Sequence, residues 1–500
     1  MIRLALSAAI LAAPAAADPV FTDRADGLPA PHVYDGGWEH FVGGGVAIFD
    51  CNGDTLPDLF AAGGETPAAL FVNRTEAPGA PIRFGRGEAD ALTGVTGAYP
   101  LDIDGDGALD LAILRVGPNR LWRGLGDCSF EDATERWGLV SEDLWTTAFT
   151  ATWEPEQDAP TLVFGNYVDR ADPEGPFGAC DTHRLYRPDM ARYAAPEIIA
   201  PGYCSLSMLI TDWRRSGAPE LRISNDRHYY VSGGYEEMWR LDPLEPVPDW
   251  EHVSLWGMGI ASADLTGDGL PEVMLTSMGD QLLQINRGDR FENAPYSIGT
   301  YAQRPHIGDD GRPATGWHAE FGDIDNDARL DLFIAKGNVD QMPSNAMADP
   351  NNLLMQNEDG TFRETSITAG VASTARARGA GLADLDGDGR LDLVVVNRRA
   401  PMEIWQNETP GTGHWLGLKL RMPGSNTHAV GAWVEVATES GTQTREVTVG
   451  GGHAGGQSLP LHIGLGAATQ ATITVRWPDG GESTHDIDRV DRIVRLTPPR

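Results

Sequence analysis

The stretch ADLDGDGRLDLVVVN, residues 383–397, decides how the chain is read. Asp384, Asp386, Asp388 and Asp392 crowd together, and a strand-like apolar run follows at once. Carboxylates this close repel one another or take up protons unless a cation joins them. Oxygen side chains at positions 1, 3, 5 and 9 of a loop, with a backbone carbonyl at 7 and glycine where the chain turns sharply, make a ligand set for Ca2+. Mg2+ fits less well, because it demands an octahedron and keeps several waters.

The pattern recurs in register. Asp50, Asn52, Asp54 and Asp58 precede LFAAGG, and Asp102, Asp104, Asp106 and Asp110 precede LAIL. Asp264, Thr266, Asp268 and Glu272 precede VMLTS, and Asp323, Asp325, Asp327 and Asp331 precede LFIAKG. With the opening stretch these residues are candidate Ca2+ ligands in about four or five sites. A weaker copy runs from Asp212 to Glu220 and is expected to be metal-free, since Arg214 and Arg215 would repel a cation. The copies are spaced by about 50–60 residues, and the longer gap from Asp102 to Asp212 leaves room for a hidden unit in FTATWEPEQDAPTLVFGNY, residues 149–167.

Seven such units of four short strands read as an all-β fold, a seven-bladed β-propeller over residues 18–408. The last unit lacks a fourth strand, whereas VFTDRADGL, residues 20–28, carries the fourth-strand motif with no unit before it. Residues 20–28 are therefore expected to complete blade seven, which would remove an open edge. Because every blade would carry its own loop, the ions are expected to be structural. Residues 409–500 alternate apolar and polar positions between Gly, Asn and Asp turns, as in HWLGLKLRM and AVGAWVEVAT, and read as a small β-sandwich.

Bulk properties narrow the function. The chain has 72 acidic residues against 38 basic, a formal net charge of −34. Such a surface repels nucleic acid and anionic lipid, so neither is expected as a partner. MIRLALSAAILAAPAAADP reads as a signal peptide over residues 1–17, cut after Ala17 and too short to span a membrane. No later apolar run is long enough to span, so an exported, periplasmic or extracellular protein is expected. The 4 cysteines then argue for two disulfides. Three pairings are open, and Cys51–Cys128 with Cys180–Cys204 is favoured.

The acidic loops resemble the FG-GAP/VCBS repeat. GHWLGLKL (413–420), SNTHAVGAWVEV (425–436), REVTVGGGHAGGQSLPLHIGLG (445–466) and VRWPDG (475–480) resemble the ASPIC/UnbV domain. The combination is similar to bacterial members of the cartilage acidic protein family. That resemblance implies a seven-bladed calcium propeller with a C-terminal β domain and implies little biochemistry. Two features depart from it: Trp433 stands where a basic residue is expected, and the turn at 450–456 is unusually rich in glycine.

The end of the blades away from the acidic loops collects a different chemistry. His40, Trp256, Trp317, His318, Arg376, Arg378, Arg227, His228, Lys336, Arg398 and Arg399 fall at the starts of first strands or between second and third strands. Trp and Arg together suit sugar stacking and carboxylate clamps, so this face is expected to hold a glycan, an anionic ligand or a protein partner. The leading reading is a calcium-stabilised binding or adhesion module with no catalytic residues. The alternative is a polysaccharide-active, lyase-like enzyme using the same face. A third is an assembly factor acting through the C-terminal domain. The sequence contains no GxSxG, HExxH, phosphate loop or Cys/His metal motif.

Overall fold

The computed structural model describes residues 18–499 apart from 90, 141, 173–178, 227–233, 302–313 and 340–347. The expected signal peptide and the candidates Arg227 and His228 lie outside the described residues. Seven four-stranded antiparallel units follow one another along the chain, and a two-sheet β-sandwich follows them.

Blade one shows the plan: Val46–Phe49, Asp58–Ala61, Ala69–Asn73 and Phe84–Arg86 pair in order. The acidic loop joins its first two strands. Blade three keeps the plan without that loop, pairing Leu144–Thr152 with Thr161–Asn166. In blade seven, Ala377–Ala383, Asp392–Asn397 and Glu403–Asn407 come from the end of the ring, and the outer strand is Phe21–Asp23. Phe21 pairs with Asn407 and Asp23 with Trp405, and the Arg24 amide extends the ladder to the Ile404 carbonyl at 2.7 Å. The two ends of the propeller sequence thus share one sheet.

First strands are buried along nearly their whole length, as in Val46–Phe49 and Ser205–Thr211. They are continuous runs of apolar, small and hydroxyl residues because both faces meet protein. In blades two to seven the pairing with the second strand slips near the start of the first, for example between Val95 and Gly97 or Gly257 and Gly259. Such bulges bend a strand and sharpen its twist. Both expected disulfides are formed: Cys51–Cys128 ties the loop of blade one to blade two, and Cys180–Cys204 ties blade three to blade four.

In the sandwich, Leu461–Gly466, His414–Leu420 and Arg492–Leu496 form one sheet. Gly441–Glu446, Trp433–Thr438, Ala471–Arg476 and Glu482–Ile487 form the other. Leu416, Leu418, Val434, Ile473, Val475 and Trp477 fill the space between them.

The glycine-rich segment 449–458 leaves the sandwich and runs among the first strands of the propeller. Its backbone bonds to five of them in turn. Val449 accepts from Ala151 at 3.3 Å, the Gly451 amide donates to Met208 and the Gly452 amide to Ile260 at 2.7 Å each, and Gly456 bonds Ala98 at 3.3 Å and Ile48 at 3.1 Å. The His453 amide donates to Nδ1 of His318 in a sixth blade at 3.1 Å. Glycine is required by this approach: a Cβ on Gly455 would lie 2.4 Å from the Val46 carbonyl oxygen. The glycine run that departs from the family pattern is a plug in the axis of the ring.

Candidate functional site

Each acidic loop is built by its own amides. In the loop at 102–110, Asp102 accepts from the Gly105 and Gly107 amides at 2.9 Å each, and Asp106 accepts from Ala108 at 2.9 Å. Asp110 accepts from Ile103 at 2.7 Å and from Gly124 of the third strand at 2.8 Å. The loop at 384–392 repeats this, with Asp392 accepting from Leu385 and Asn407 at 2.8 Å each. Position 6 takes positive φ even where it is not glycine, at Thr55 (77°) and Ala328 (74°). Position 9 is therefore first a clamp on the third strand, a role the spacing did not reveal. Asn73, Asn286 and Asn407 extend that clamp sideways: each side-chain amide donates to its own loop and to the loop of the preceding blade, to Leu385, Trp213 and Ile324 at 2.8, 2.8 and 2.9 Å. Asparagine at the end of a third strand was visible in the sequence, but its partner on another blade was not.

The inner carboxylates converge in three loops. Oxygens of Asp102, Asp104 and Asp110, of Asp323, Asp325 and Asp331, and of Asp384, Asp386 and Asp392 lie within 4.8 Å of one another in each set. Burial pushes Asp110 up to about 8 and Asp384 up to about 7, with neighbouring aspartates adding to both. Asp323, Asp331 and Asp392 are raised well above the usual carboxylate range for the same two reasons. Oδ1 of Asp325 is buried with no hydrogen-bond partner. In the loops at 323–331 and 384–392 guanidiniums reach only the neighbouring position, Arg329 taking Asp327 and Arg390 taking Asp388, whereas Arg123 takes Asp106 and also Asp104 of the converging set at 2.6 Å. A crowded, half-desolvated oxygen set with an orphaned oxygen fits a hard cation such as Ca2+.

The other two candidate loops are poorer. At 50–58 the group near Asp58 is completed by Cys51 and Cys128, which are spent in a disulfide, while the Asn52 amide donates to Asp54 at 2.9 Å. Burial pushes Asp58 up to about 7. At 264–272 Glu272 takes the position-9 role, accepting from Leu265 at 2.7 Å and Thr266 at 3.2 Å, and burial pushes it up to about 7. Asp264 accepts from Gly267 and Gly269, and Asp268 from Leu270.

Among the described residues, the face opposite the loops does not gather into the expected pocket. Arg378 is fully buried, lies 4.1 Å over Trp317 and donates to the Phe41 and Gly337 carbonyls at 2.7 and 3.1 Å. Arg398 is buried and donates to the carbonyls of His40 and Gly36 at 3.0 and 3.2 Å. Lys336 is wholly buried, 3.3 Å from the equally buried Asp349. Trp317 donates to the Gly337 carbonyl, and His318 sits in the axis beside the plug. These five are corrections: Arg378, Arg398 and Trp317 satisfy carbonyls that the curled loops present inward, Lys336 is spent on Asn352 and Asp349, and His318 is spent on the plug. His40 is buried with neither ring nitrogen hydrogen-bonded, and burial lowers its pKa. Trp256 and Arg376 are half-buried, and Arg399 is exposed in an ion pair with Asp35 at 3.0 Å.

The sandwich lies across the acidic-loop end, which sequence reasoning missed. Lys419 Nζ is 3.4 Å from Asp50, Thr427 donates to Asp102, and the Gly413 amide donates to the Asp325 carbonyl at 2.9 Å. Nε2 of His462 meets Asn326 at 2.7 Å, and a Cβ on Gly389 would lie 1.8 Å from the Trp415 indole nitrogen. Over blade four, Glu446 accepts from the Asp212 amide at 2.9 Å, Arg215 pairs with Glu435 at 2.6 Å, and Arg215 covers the Trp433 ring at 4.9 Å. Trp433 is thus a docking residue.

The FG-GAP-like repeat family matches residues 50–113, 264–334 and 343–395, and the ASPIC and UnbV family matches 422–500. Cartilage acidic protein 1 of Homo sapiens is 30% identical over 188 residues, 36% of this chain and 27% of that protein. The Xenopus tropicalis protein of the same name is 25% identical over 240 residues, 46% of this chain and 35% of that one. The chain thus matches about a quarter to a third of the length of these curated relatives. Among solved structures, the BP39L lectin from Burkholderia pseudomallei has a TM-score of 0.46 at 10% identity, covering 73% of this chain and 96% of the lectin.

Proposed function

Starting from a chain of FG-GAP-like repeats with a C-terminal ASPIC and UnbV domain, we propose an exported binding propeller whose blades are braced by calcium. The observation that carries this reading is the convergence of three carboxylates within 4.8 Å in each of three loops, with Asp325 Oδ1 left unpartnered. Asp102, Asp104 and Asp110, Asp323, Asp325 and Asp331, and Asp384, Asp386 and Asp392 would hold the ions. The loops at 50–58 and 264–272 would bind more weakly. Bound calcium would supply the positive charge that lets these carboxylates ionise where they stand. The chain's own amides already fix the loop shape, so the ion stabilises by linkage rather than by shaping the turn. Two disulfides and the expected signal peptide support an oxidising, exported setting. The binding role is proposed toward a glycan, an anionic ligand or a protein, with the propeller and sandwich acting as one unit.

Equilibrium dialysis of chelator-stripped mature chain against Ca2+, followed by thermal melts, tests the brace. At least three ions should bind per chain, and the melting temperature should rise with free Ca2+. Less than one ion per chain, or melts that ignore both Ca2+ and chelator, would overturn it.

A further inference from the structure

Between the sandwich and the loop end of the propeller lies a cavity of about 350 Å³. Its propeller wall comes from the first strands of blades five and six, and its roof from the sandwich and the plug. Apolar groups such as Ile260, Phe321 and Val447 line part of it. Set among them are Arg421 and Arg445, each half-buried.

These two arginines differ from many others among the described residues. Arg123, Arg170, Arg187, Arg214 and Arg390 each reach a carboxylate. Arg421 donates only to the Leu420 carbonyl at 2.9 Å, and Arg445 only to the Thr444 carbonyl and the Gln443 side chain at 2.9 Å each. Among the described residues neither has a carboxylate within ion-pair distance. A guanidinium has five donors, so most of their capacity is turned to the cavity unspent. Nε2 of His428, on the same wall, is buried with no hydrogen-bond partner.

The acids that line the cavity have partners already. Asp50 is 3.4 Å from Lys419, and Asp264 accepts two backbone amides. Glu320 accepts from Gln457 at 2.5 Å and from the Leu382 amide at 3.0 Å. Glu446 accepts from Thr211 at 2.5 Å and the Asp212 amide at 2.9 Å. The lining is therefore spent on its acidic side and open on its cationic side, in a chain whose net charge is −34. Arg421 lies in the field of Asp102 and Asp50 and Arg445 in that of Asp264 and Asp323, yet none of these carboxylates is hydrogen-bonded to either guanidinium, and forked donors suit carboxylate or phosphate oxygens. A cavity of this size takes a metabolite-sized ligand.

We infer that this interdomain cavity is a binding site for a small organic anion, a carboxylate carried on an apolar body, held by Arg421 and Arg445 with His428 within reach. The site borders the loops at 50–58 and 264–272, since Asp50 and Asp264 line it, but does not require them to bind calcium. Isothermal titration of the full mature chain, in Ca2+ and again in chelator, would compare benzoate with neutral benzamide and with inorganic phosphate. Benzoate should bind, benzamide at least tenfold more weakly, and phosphate more weakly than benzoate. Arg421→Gln and Arg445→Gln should each cut benzoate affinity at least tenfold, while Arg445→Lys, which keeps charge but loses the fork, should lose part of it. Equal binding of benzoate and benzamide, no benzoate binding at all, or Gln variants that melt lower yet bind benzoate normally would overturn the site. The last result would mean that the arginines only balance the loop carboxylates. Tighter binding of phosphate would overturn the apolar carboxylate in particular.

Discussion

Two loops of the propeller share a backbone and differ in charge. At 323–331, Asp323 accepts from the Asp327 amide at 2.9 Å and the Ala328 amide at 2.8 Å. At 212–220, Asp212 accepts from the Ser216 amide at 2.8 Å and the Gly217 amide at 2.7 Å. The turn is the same. In the second loop, however, position 3 is Arg214, which pairs with Glu220 at 2.9 Å, and Trp213 donates to the same carboxylate at 2.6 Å. Blade four neutralises its loop with its own cation, whereas blade six gathers carboxylates that push one another up. The turn is thus an affair of backbone amides, and the acidity serves something besides the turn.

Chelation should separate the two blades most strongly. Each loop filled at a hundredfold excess over Kd adds about 2.7 kcal/mol, so three loops add about 8 kcal/mol. Hydrogen exchange after chelation should rise in blades two, six and seven and stay unchanged in blade four; equal loss everywhere would erase the distinction.

Acidity should act next. Without metal, Asp110 at about 8 and Asp384 at about 7 hold protons that the unfolded chain, near 4, releases. Their contribution is therefore full below about pH 4 and is lost as pH rises through about 7 to 8. Melts of the chelated protein should fall over that window, and saturating Ca2+ should flatten the fall. A chelated protein whose melting rises from pH 6 to pH 9 would contradict the burial of these groups.

Asp325→Ala sharpens the contrast by giving opposite signs. It removes a buried oxygen with no partner and a neighbour that raises Asp323 and Asp331. The chelated variant should gain about 1–3 kcal/mol, while one calcium is lost in dialysis. Arg214→Ala should cost about 1 kcal/mol or somewhat more, through the buried Glu220, equally with and without Ca2+. The smallest effect is expected from Arg214→Asp combined with Ser216→Asp, which should add one ion per chain and in Ca2+ recover only what Arg214→Ala loses.

Legibility follows the same line between local and distant. The loops, hairpins and blade count could be read because the amide bonds that close each turn span only a few residues. The outer strand of blade seven was legible for another reason: VFTDRADGL carried a fourth-strand pattern without the three strands it needs. Lys336, Arg378 and Arg398 were misread as ligand groups because long cations usually face water. Here they meet inward carbonyls and, for Lys336, the buried Asp349, far along the chain or across a curled loop. Arg421 and Arg445 carried no sign of a site, although Arg445 opens the REVTVGGG motif, because lining a cavity against another domain leaves no local pattern.

The sequence by itself determined the repeat, the turn chemistry of each acidic loop, the all-β class and the number of cross-links, because these rest on periodicity, short-range amide geometry and cysteine count. Only the tertiary structure decided that the sandwich covers the loop end and that 449–458 fills the axis. First strands from six blades must converge before a glycine backbone has carbonyls and a ring nitrogen on every side to bond, and no local pattern encodes that convergence.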